Sequence, residues 1–192
     1  MGFAVSWLAV SDKEPSPVLE ALGFSRTETT EEFPESDFTC AALPGSWFLV
    51  CAHEFDSLLS AENVLGPLSA GCKVIACQVE EHVMVSAVTA YADGARVWRV
   101  EHDTQQDTYH LSVKGLPPAQ LDEIHANLKR QQDEEGGSGA EVDYLFDVPV
   151  VLAESITGYR HDKDFAELSA ERFVVLRQDH VVHKPRPWWK IW

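Results

Sequence analysis

The sequence predicts an α+β protein: a mostly antiparallel, twisted sheet with helices packed on one face. Three observations predict this class. Two β-rich segments, 82–91 and 96–102, are joined by Asp93-Gly94, a strong two-residue hairpin turn. An amphipathic helix follows Pro117-Pro118, and the first 80 residues have the element order of a split, ferredoxin-like unit. The 192 residues, 45% of them hydrophobic, are enough for one full core.

The N-terminal region is predicted to hold a strand, a helix, a hairpin, a helix and a strand, in that order. An apolar strand at 3–10 is followed by a short helix, which two prolines start and Gly23 ends in a left-handed conformation. The hairpin comes next. A helix at 56–70 and a strand at 73–79 then complete the unit.

The hairpin is predicted to consist of residues 38–43 and 46–52, which flank the turn pair Pro44-Gly45. Alternation along each strand of a hairpin with a two-residue loop would place six residues on one face. That face would belong to the core. The six residues are Phe38, Cys40, Ala42, Trp47, Leu49 and Cys51.

The central hairpin has a predicted register, because the turn at Asp93-Gly94 fixes which residues face each other. Counting outward from the turn, Ala92 pairs with Ala95, and Tyr91 pairs with Arg96. The same count continues along both strands. Thr89 would lie opposite Trp98, and Ala87 opposite Val100.

The C-terminal half continues with a third strand at 108–113 and a helix in which Leu121, Ile124, His125 and Leu128 form one stripe. A further helix is predicted to begin at Asp147 and to end at Gly158. A last strand follows at 173–176. The pattern Thr157-Gly158-Tyr159 echoes Leu22-Gly23-Phe24, although no true repeat is present.

The domain prediction is a single α+β domain at 1–183, with a division into two sub-units, about 1–80 and 81–183, left open. Residues 184–192 form a basic, tryptophan-rich tail that contains Trp188, Trp189 and Trp192. Its prolines favour an extended segment. Two roles are open for it: folding back on the anionic surface of its own chain, or binding a partner through tryptophan and cation contacts.

The net charge is the most informative feature for function. The chain carries 31 acidic and 15 basic residues, a formal charge of -16, and the three basic residues of 184–192 leave -19 for the remainder. Such a body repels nucleic-acid phosphate, which excludes nucleic-acid binding as the primary role, and it attracts cationic proteins. One segment concentrates the acidic residues without a basic residue after Arg26; its members are Glu28, Glu31, Glu32, Glu35 and Asp37.

The functional prediction is therefore a non-catalytic protein that docks a basic protein partner, most concretely an immunity- or inhibitor-type protein that neutralises a toxin. The acidic residues of the segment and the three tail tryptophans are the predicted binding residues. A structural or oligomeric module is a further alternative, and it requires a large self-complementary apolar face. The sequence does not predict the oligomeric state.

A metal-dependent hydrolase is the alternative that predicts a catalytic site. His102-Asp103 and His161-Asp162 offer imidazole and carboxylate ligands, and these four would have to converge on one point. Against this, neighbouring residues of a strand point to opposite faces, and 102–103 ends a predicted strand. No nucleophile elbow, P-loop or dinucleotide fingerprint is present, so no catalytic residue and no cofactor is predicted.

The cysteines and the apolar segments predict the compartment. Cys40, Cys51, Cys72 and Cys77 lack metal-ligand spacing and lie in strand-like surroundings, which favours reduced, buried thiols in a cytoplasmic protein. The apolar stretches fall short of the roughly 20 residues that span a bilayer. Acidic and basic residues follow the apolar residues 1–10 at once, which is unlike a cleaved leader.

Overall fold

The computed structural model describes residues 2–163 and 172–179. Nine strands, numbered in chain order, form one antiparallel sheet: β1 Ala4–Ser11, β2 Phe24–Glu31, β3 Phe38–Leu43, β4 Trp47–Ala52, β5 Lys73–Glu80, β6 Val85–Ala92, β7 Ala95–Asp103, β8 Ser112–Gly115 and β9 Phe173–Gln178. Their order across the sheet is β2-β9-β3-β4-β1-β5-β6-β7-β8. The predicted α+β class and its antiparallel sheet are confirmed.

Four α-helices of the described residues accompany the sheet: α1 Pro15–Leu22, α2 Glu62–Leu68, α3 Gln120–Glu134 and α4 Asp147–Thr157. Gly23 and Gly158 follow α1 and α4 in the left-handed conformation, as predicted for helix ends. None of the helices in residues 2–163 and 172–179 is long and apolar enough to cross a membrane.

The helices lie on both faces of the sheet, which corrects the prediction of a single covered face. Leu8 and Val10 of β1 belong to the core under α1 and α2, whereas Trp7 and Ala9 belong to the core under α3 and α4. Because successive strand residues point to opposite faces, a strand that is apolar at every position requires cover on both sides. The apolar sequence of β1 is the physical reason for the second helical layer.

The predicted split unit is present within the larger sheet. The connection from β1 through α1 leads to β3 and leaves β4 between them, and the connection from β4 through α2 leads to β5 and leaves β1 between them. Both helices of this unit pack on the same face. The strand β2, which the sequence did not predict, is inserted after α1 and lies at the edge of the described sheet.

The β3–β4 hairpin differs from its predicted register by one residue. Cys40 pairs with Val50 and Leu43 with Trp47, so the loop has three residues, and its last residue, Ser46, has a positive φ of 63°. The shift separates residues that were predicted to share a face: Cys40 lies in the core under α1 and α2, whereas Leu49 lies in the opposite core. A one-residue change of register exchanges the two faces.

The β6–β7 hairpin keeps its predicted turn but shifts register farther out. Asp93 and Gly94 both have positive φ, and Tyr91 pairs with Arg96 as predicted. An irregularity then leaves Val97 without a partner across the ladder, so that Trp98 faces Ala90 instead of Thr89. The bulge accounts for every later difference of one residue along this pair.

Candidate functional site

An aromatic cleft of about 550 Å³ opens where four separate parts of the chain meet. Phe3 lies just before β1 and Trp7 lies within it, the loop after β2 contributes Phe33, the end of β4 contributes 51–53, and the segment after α4 contributes Tyr159 and His161. The lining is mainly apolar, and the volume lies within the range of about 300–1,000 Å³ that is usual for ligand sites. We refer to this feature as the aromatic cleft.

Edge-to-face ring contacts build the walls of the aromatic cleft. Trp7 and Tyr159 pack at 5.2 Å between ring centroids, and Phe3 and His161 pack at 5.1 Å, both nearly perpendicular. Tyr159 is placed by Gly158, whose left-handed conformation ends α4 and turns the chain back toward the sheet. The two phenylalanines at the rim remain exposed, Phe3 at 41% and Phe33 at 46%.

Two side chains that line the aromatic cleft have buried polar atoms without hydrogen-bond partners among the described residues. These atoms are Nε1 of Trp7 and both ring nitrogens of His161, whose side chain is only 4% exposed. The nearest carboxylate, Oε1 of Glu81, lies 3.6 Å from His161 Nε2, beyond normal hydrogen-bond distance. Burial lowers the pKa of His161, and the negative charges of Asp162 and Glu81 offset this only in part.

The charged residues beside the aromatic cleft are mostly held by one another. Arg160 donates to Asp162 at 2.6 and 3.0 Å and to Asp147 at 3.0 Å. Burial opposes the ionised form of Asp162, but the hydrogen bonds and charge of Arg160 outweigh it and lower the pKa of this carboxyl. Lys163 pairs with Glu154. These ion pairs fix the chain on either side of His161.

The acidic segment, which comprises Glu28, Glu31, Glu32, Glu35 and Asp37, leads directly into the aromatic cleft. Its first two members belong to β2, and Glu35 lines the aromatic cleft next to Phe33. Glu31 accepts hydrogen bonds from the amide and hydroxyl of Ser36, at 3.0 and 2.8 Å, and so serves the turn. The other four are exposed, and no described cation forms an ion pair with any of them.

The predicted metal ligands are not brought together, which corrects that hypothesis. No three His, Cys, Asp or Glu side chains within the described ranges form a group able to hold a metal ion. Asp103 accepts hydrogen bonds within the turn that follows β7, from Gln105 N and Gln106 Nε2. Asp162 is bound to Arg160, as described above. His102 is engaged elsewhere, and His161 and Asp162 are the two of the four that line the aromatic cleft.

His102 is a buried structural residue. Its Nδ1 lies 2.8 Å from the carbonyl oxygen of His110, and its Nε2 lies 2.9 Å from Oδ2 of Asp143. The other oxygen of Asp143 accepts from the amides of Leu145 and Phe146. Burial raises the pKa of Asp143, but the bond and charge of His102 and the backbone amide outweigh it, so the net pKa is lowered. This cluster ties β7 to the chain just before α4.

The four cysteines are free and buried, as the sequence predicts. Burial raises the pKa of Cys51 and of Cys77 to about 12, and the hydrogen bond from Cys51 Sγ to Tyr159 Oη at 3.6 Å offsets this only slightly for Cys51. Because the thiolate is the reactive form, Cys51 is inert although it lines the aromatic cleft. Its side chain contributes to the packing of the core under α3 and α4.

Of the residues that line the aromatic cleft, sequence reasoning named only Glu35, His161 and Asp162 as candidate site residues. The only sequence feature that pointed to Tyr159 was the Gly158-Tyr159 pair after a helix, which repeats the Gly23-Phe24 arrangement after α1. The predicted binding residues Trp188, Trp189 and Trp192 lie outside the described residues. Comparison of the chain with family models, with curated proteins and with solved structures finds no match.

Proposed function

We propose that this protein is a non-catalytic binding protein whose acidic surface docks a basic protein partner, most concretely as an immunity- or inhibitor-type protein that neutralises a toxin. One observation carries the proposal. The acidic segment has four exposed carboxylates without described cationic partners, and one of them, Glu35, lines an apolar cleft with exposed phenylalanines at its rim. Interfaces combine such an apolar centre with a charged rim.

The acidic segment has physical properties that suit a docking surface. Carboxylates that already pair with lysine or arginine must lose those pairs before they bind a partner, and Glu28, Glu32, Glu35 and Asp37 have no such pairs among the described residues. Their charges add to the strongly negative field of the chain. That field speeds the encounter with a basic partner, and the apolar cleft then supplies contacts that salt does not screen.

A matched pair of variants tests this proposal with a fluorescein-labelled nona-lysine peptide, titrated by fluorescence anisotropy in 50 mM and 300 mM NaCl. The segment variant neutralises Glu28→Gln, Glu32→Gln, Glu35→Gln and Asp37→Asn. The control variant removes the same four charges from exposed positions at and beyond α3: Asp122→Asn, Glu123→Gln, Glu135→Gln and Glu141→Gln. Both variants therefore have the same net charge.

We expect the segment variant to bind the peptide about tenfold more weakly than the unaltered protein, since four surface charges contribute about 0.3–0.5 kcal/mol each. The control variant should lose less than about threefold, and the unaltered protein should bind less tightly at high salt. Equal losses in the two variants would show that net charge alone attracts the peptide. Loss of binding only on removal of residues 184–192 would assign the interaction to the tail instead.

A further inference from the structure

The aromatic cleft contains hydrogen-bonding groups that the described residues leave unused. Buried polar groups are normally paired, and an unpaired one costs about 1–3 kcal/mol. Here Trp7 Nε1 and both nitrogens of His161 are buried and unpaired among the described residues, and the two residues that carry them line a cleft of about 550 Å³. Their cost is recovered when the two side chains turn toward a ligand that supplies the missing partners, so these atoms indicate which chemistry the cleft takes.

The unused groups specify a ligand with both hydrogen-bonding and aromatic character. The indole N–H of Trp7 can only donate, and the ring of His161 in its neutral form offers one donor and one acceptor. Around them stand the faces and edges of Phe3, Phe33 and Tyr159. An aromatic ring that carries an N–H or O–H group matches both sets of contacts.

The surroundings of the cleft indicate that this ring belongs to a protein. Phe3 and Phe33 extend the apolar surface beyond the cavity, at 41% and 46% exposure, as in the contact area around an anchor residue. Glu35 stands at the same rim, and Glu32 and Asp37 flank it in sequence without described cationic partners. Charge complementarity therefore calls for lysine or arginine on both sides of the ring.

Building on the proposed function, we infer that the aromatic cleft receives one tryptophan or tyrosine side chain from a lysine- or arginine-rich segment of the partner. The ring N–H or O–H of this side chain donates a hydrogen bond to the unprotonated ring nitrogen of His161. A main-chain carbonyl of the same segment accepts a hydrogen bond from Trp7 Nε1. The acidic segment binds the flanking cations. His161 thus determines which side chain is accepted, and the carboxylates determine the charge of the sequence around it.

Four labelled nonapeptides test the inference on the full chain by fluorescence anisotropy. Three of them carry four lysines on each side of a central residue, which is tryptophan, phenylalanine or alanine; the fourth carries glutamates around a central tryptophan. We expect the lysine-flanked tryptophan peptide to bind about 30-fold more tightly than the alanine peptide, as for an interface anchor. It should bind about fivefold more tightly than the phenylalanine peptide, which lacks the N–H. The glutamate-flanked peptide should bind least tightly.

His161→Phe isolates the specific contact, because it keeps a ring against Phe3 and removes the hydrogen-bonding atoms. This variant should bind the lysine-flanked tryptophan and phenylalanine peptides equally, whereas a purely structural role of His161 would leave the fivefold preference intact. His125→Phe, the same substitution on α3 at a distance from the lining residues, should retain the preference. Trp7→Phe should weaken the three lysine-flanked peptides alike.

The outcomes separate the two proposals. Equal binding of all three lysine-flanked peptides would overturn the anchor inference and leave the acidic docking surface in place. Equal binding of the lysine-flanked and glutamate-flanked tryptophan peptides, with the preference for tryptophan retained, would support the cleft and contradict acidic docking. A preference for tryptophan that survives in His161→Phe would contradict the assigned hydrogen bond.

Discussion

The two His-Asp dipeptides of this chain have the same sequence and opposite surroundings. His102 is fully buried with an acceptor atom opposite each ring nitrogen, the carbonyl of His110 and the carboxylate of Asp143. The side chain of His161 is almost as deeply buried, yet neither of its nitrogens has a hydrogen-bond partner in the part of the chain that the structure describes. One imidazole therefore contributes to the stability of the fold, and the other costs free energy because its polar atoms are left unpaired.

The difference follows from where the fold places each histidine. His102 lies within β7, whose neighbour β6 also contacts α4 through the Ser86 hydroxyl and the carbonyl of Phe146. His161 follows the end of α4 and lines the aromatic cleft. The sequence of a dipeptide is therefore weak evidence for a functional site, whereas an unpaired polar atom beside a cavity is stronger evidence.

The largest expected effect is on the free energy of unfolding when His102 or His161 is replaced by phenylalanine. His102→Phe removes one member of a buried ion pair and leaves the Asp143 carboxylate without its partner. This loss should lower the free energy of unfolding by about 3–5 kcal/mol. His161→Phe removes unpaired polar atoms and should leave this free energy unchanged or raise it by up to about 3 kcal/mol. Urea denaturation measures both. Similar losses in the two variants would erase the proposed contrast between the sites.

Substitution of Asp143 sharpens the account of the His102 site. Asp143→Ala removes the partner of His102 and the acceptor for the amides of Leu145 and Phe146, and should cost about 2–4 kcal/mol. In Asp143→Asn the amide oxygen can still accept from both amides, while its NH2 group can donate to a neutral imidazole. We expect Asp143→Asn to lower the free energy of unfolding by about 1 kcal/mol. Equal costs would show that charge, and not the hydrogen-bond pattern, holds the cluster together.

The pH dependence of stability should separate the same two sites. Because the folded-state pKa of Asp143 is lowered, its contribution is fully present above the unfolded value of about 3.9 and is lost as the pH falls toward the folded value. Asp143→Asn should flatten this acidic part of the curve. Thermal unfolding of the two proteins between pH 2 and 5 measures the difference, and parallel curves would contradict it.

A smaller pH dependence of stability is expected from His161, and it should appear near neutral pH. Its folded-state pKa is lowered below the ordinary value of about 6.5, so the unfolded chain takes up the proton first as the pH falls. Stability should decline below about pH 6.5 on this account, and the decline should be shallower in His161→Phe. Thermal scans between pH 5 and 8 supply the measurement, with His125→Phe as the control. A steeper decline in His161→Phe would reverse the assigned direction.

Much of the fold could be predicted, because it depends on local patterns. The turn at Asp93-Gly94 and the helix end at Gly158 follow from backbone conformations that few residues adopt. Register was less accessible. Two irregularities each shift the strand pairing by one residue: the three-residue loop that ends at Ser46 and the bulge at Val97. The hydrophobic pattern of the sequence indicates neither of them.

The elements and sites that depend on distant parts of the chain could not be predicted. The strand β2 is largely polar, and it is a strand because β9 pairs with it from almost 150 residues away. Phe3, Phe33 and His161 meet in the aromatic cleft although they are far apart in sequence. The acidic segment was visible in the sequence because its residues are consecutive or nearly so, but its place beside a cleft was not.

The most direct test of the central claim is to map nona-lysine onto the ¹⁵N-labelled protein by amide chemical-shift changes in 50 mM NaCl. We expect the largest changes on residues 28–37 and on the cleft residues His53, Tyr159 and 161–163. Changes that are instead spread evenly over every acidic surface, α3 included, would contradict a specific docking site.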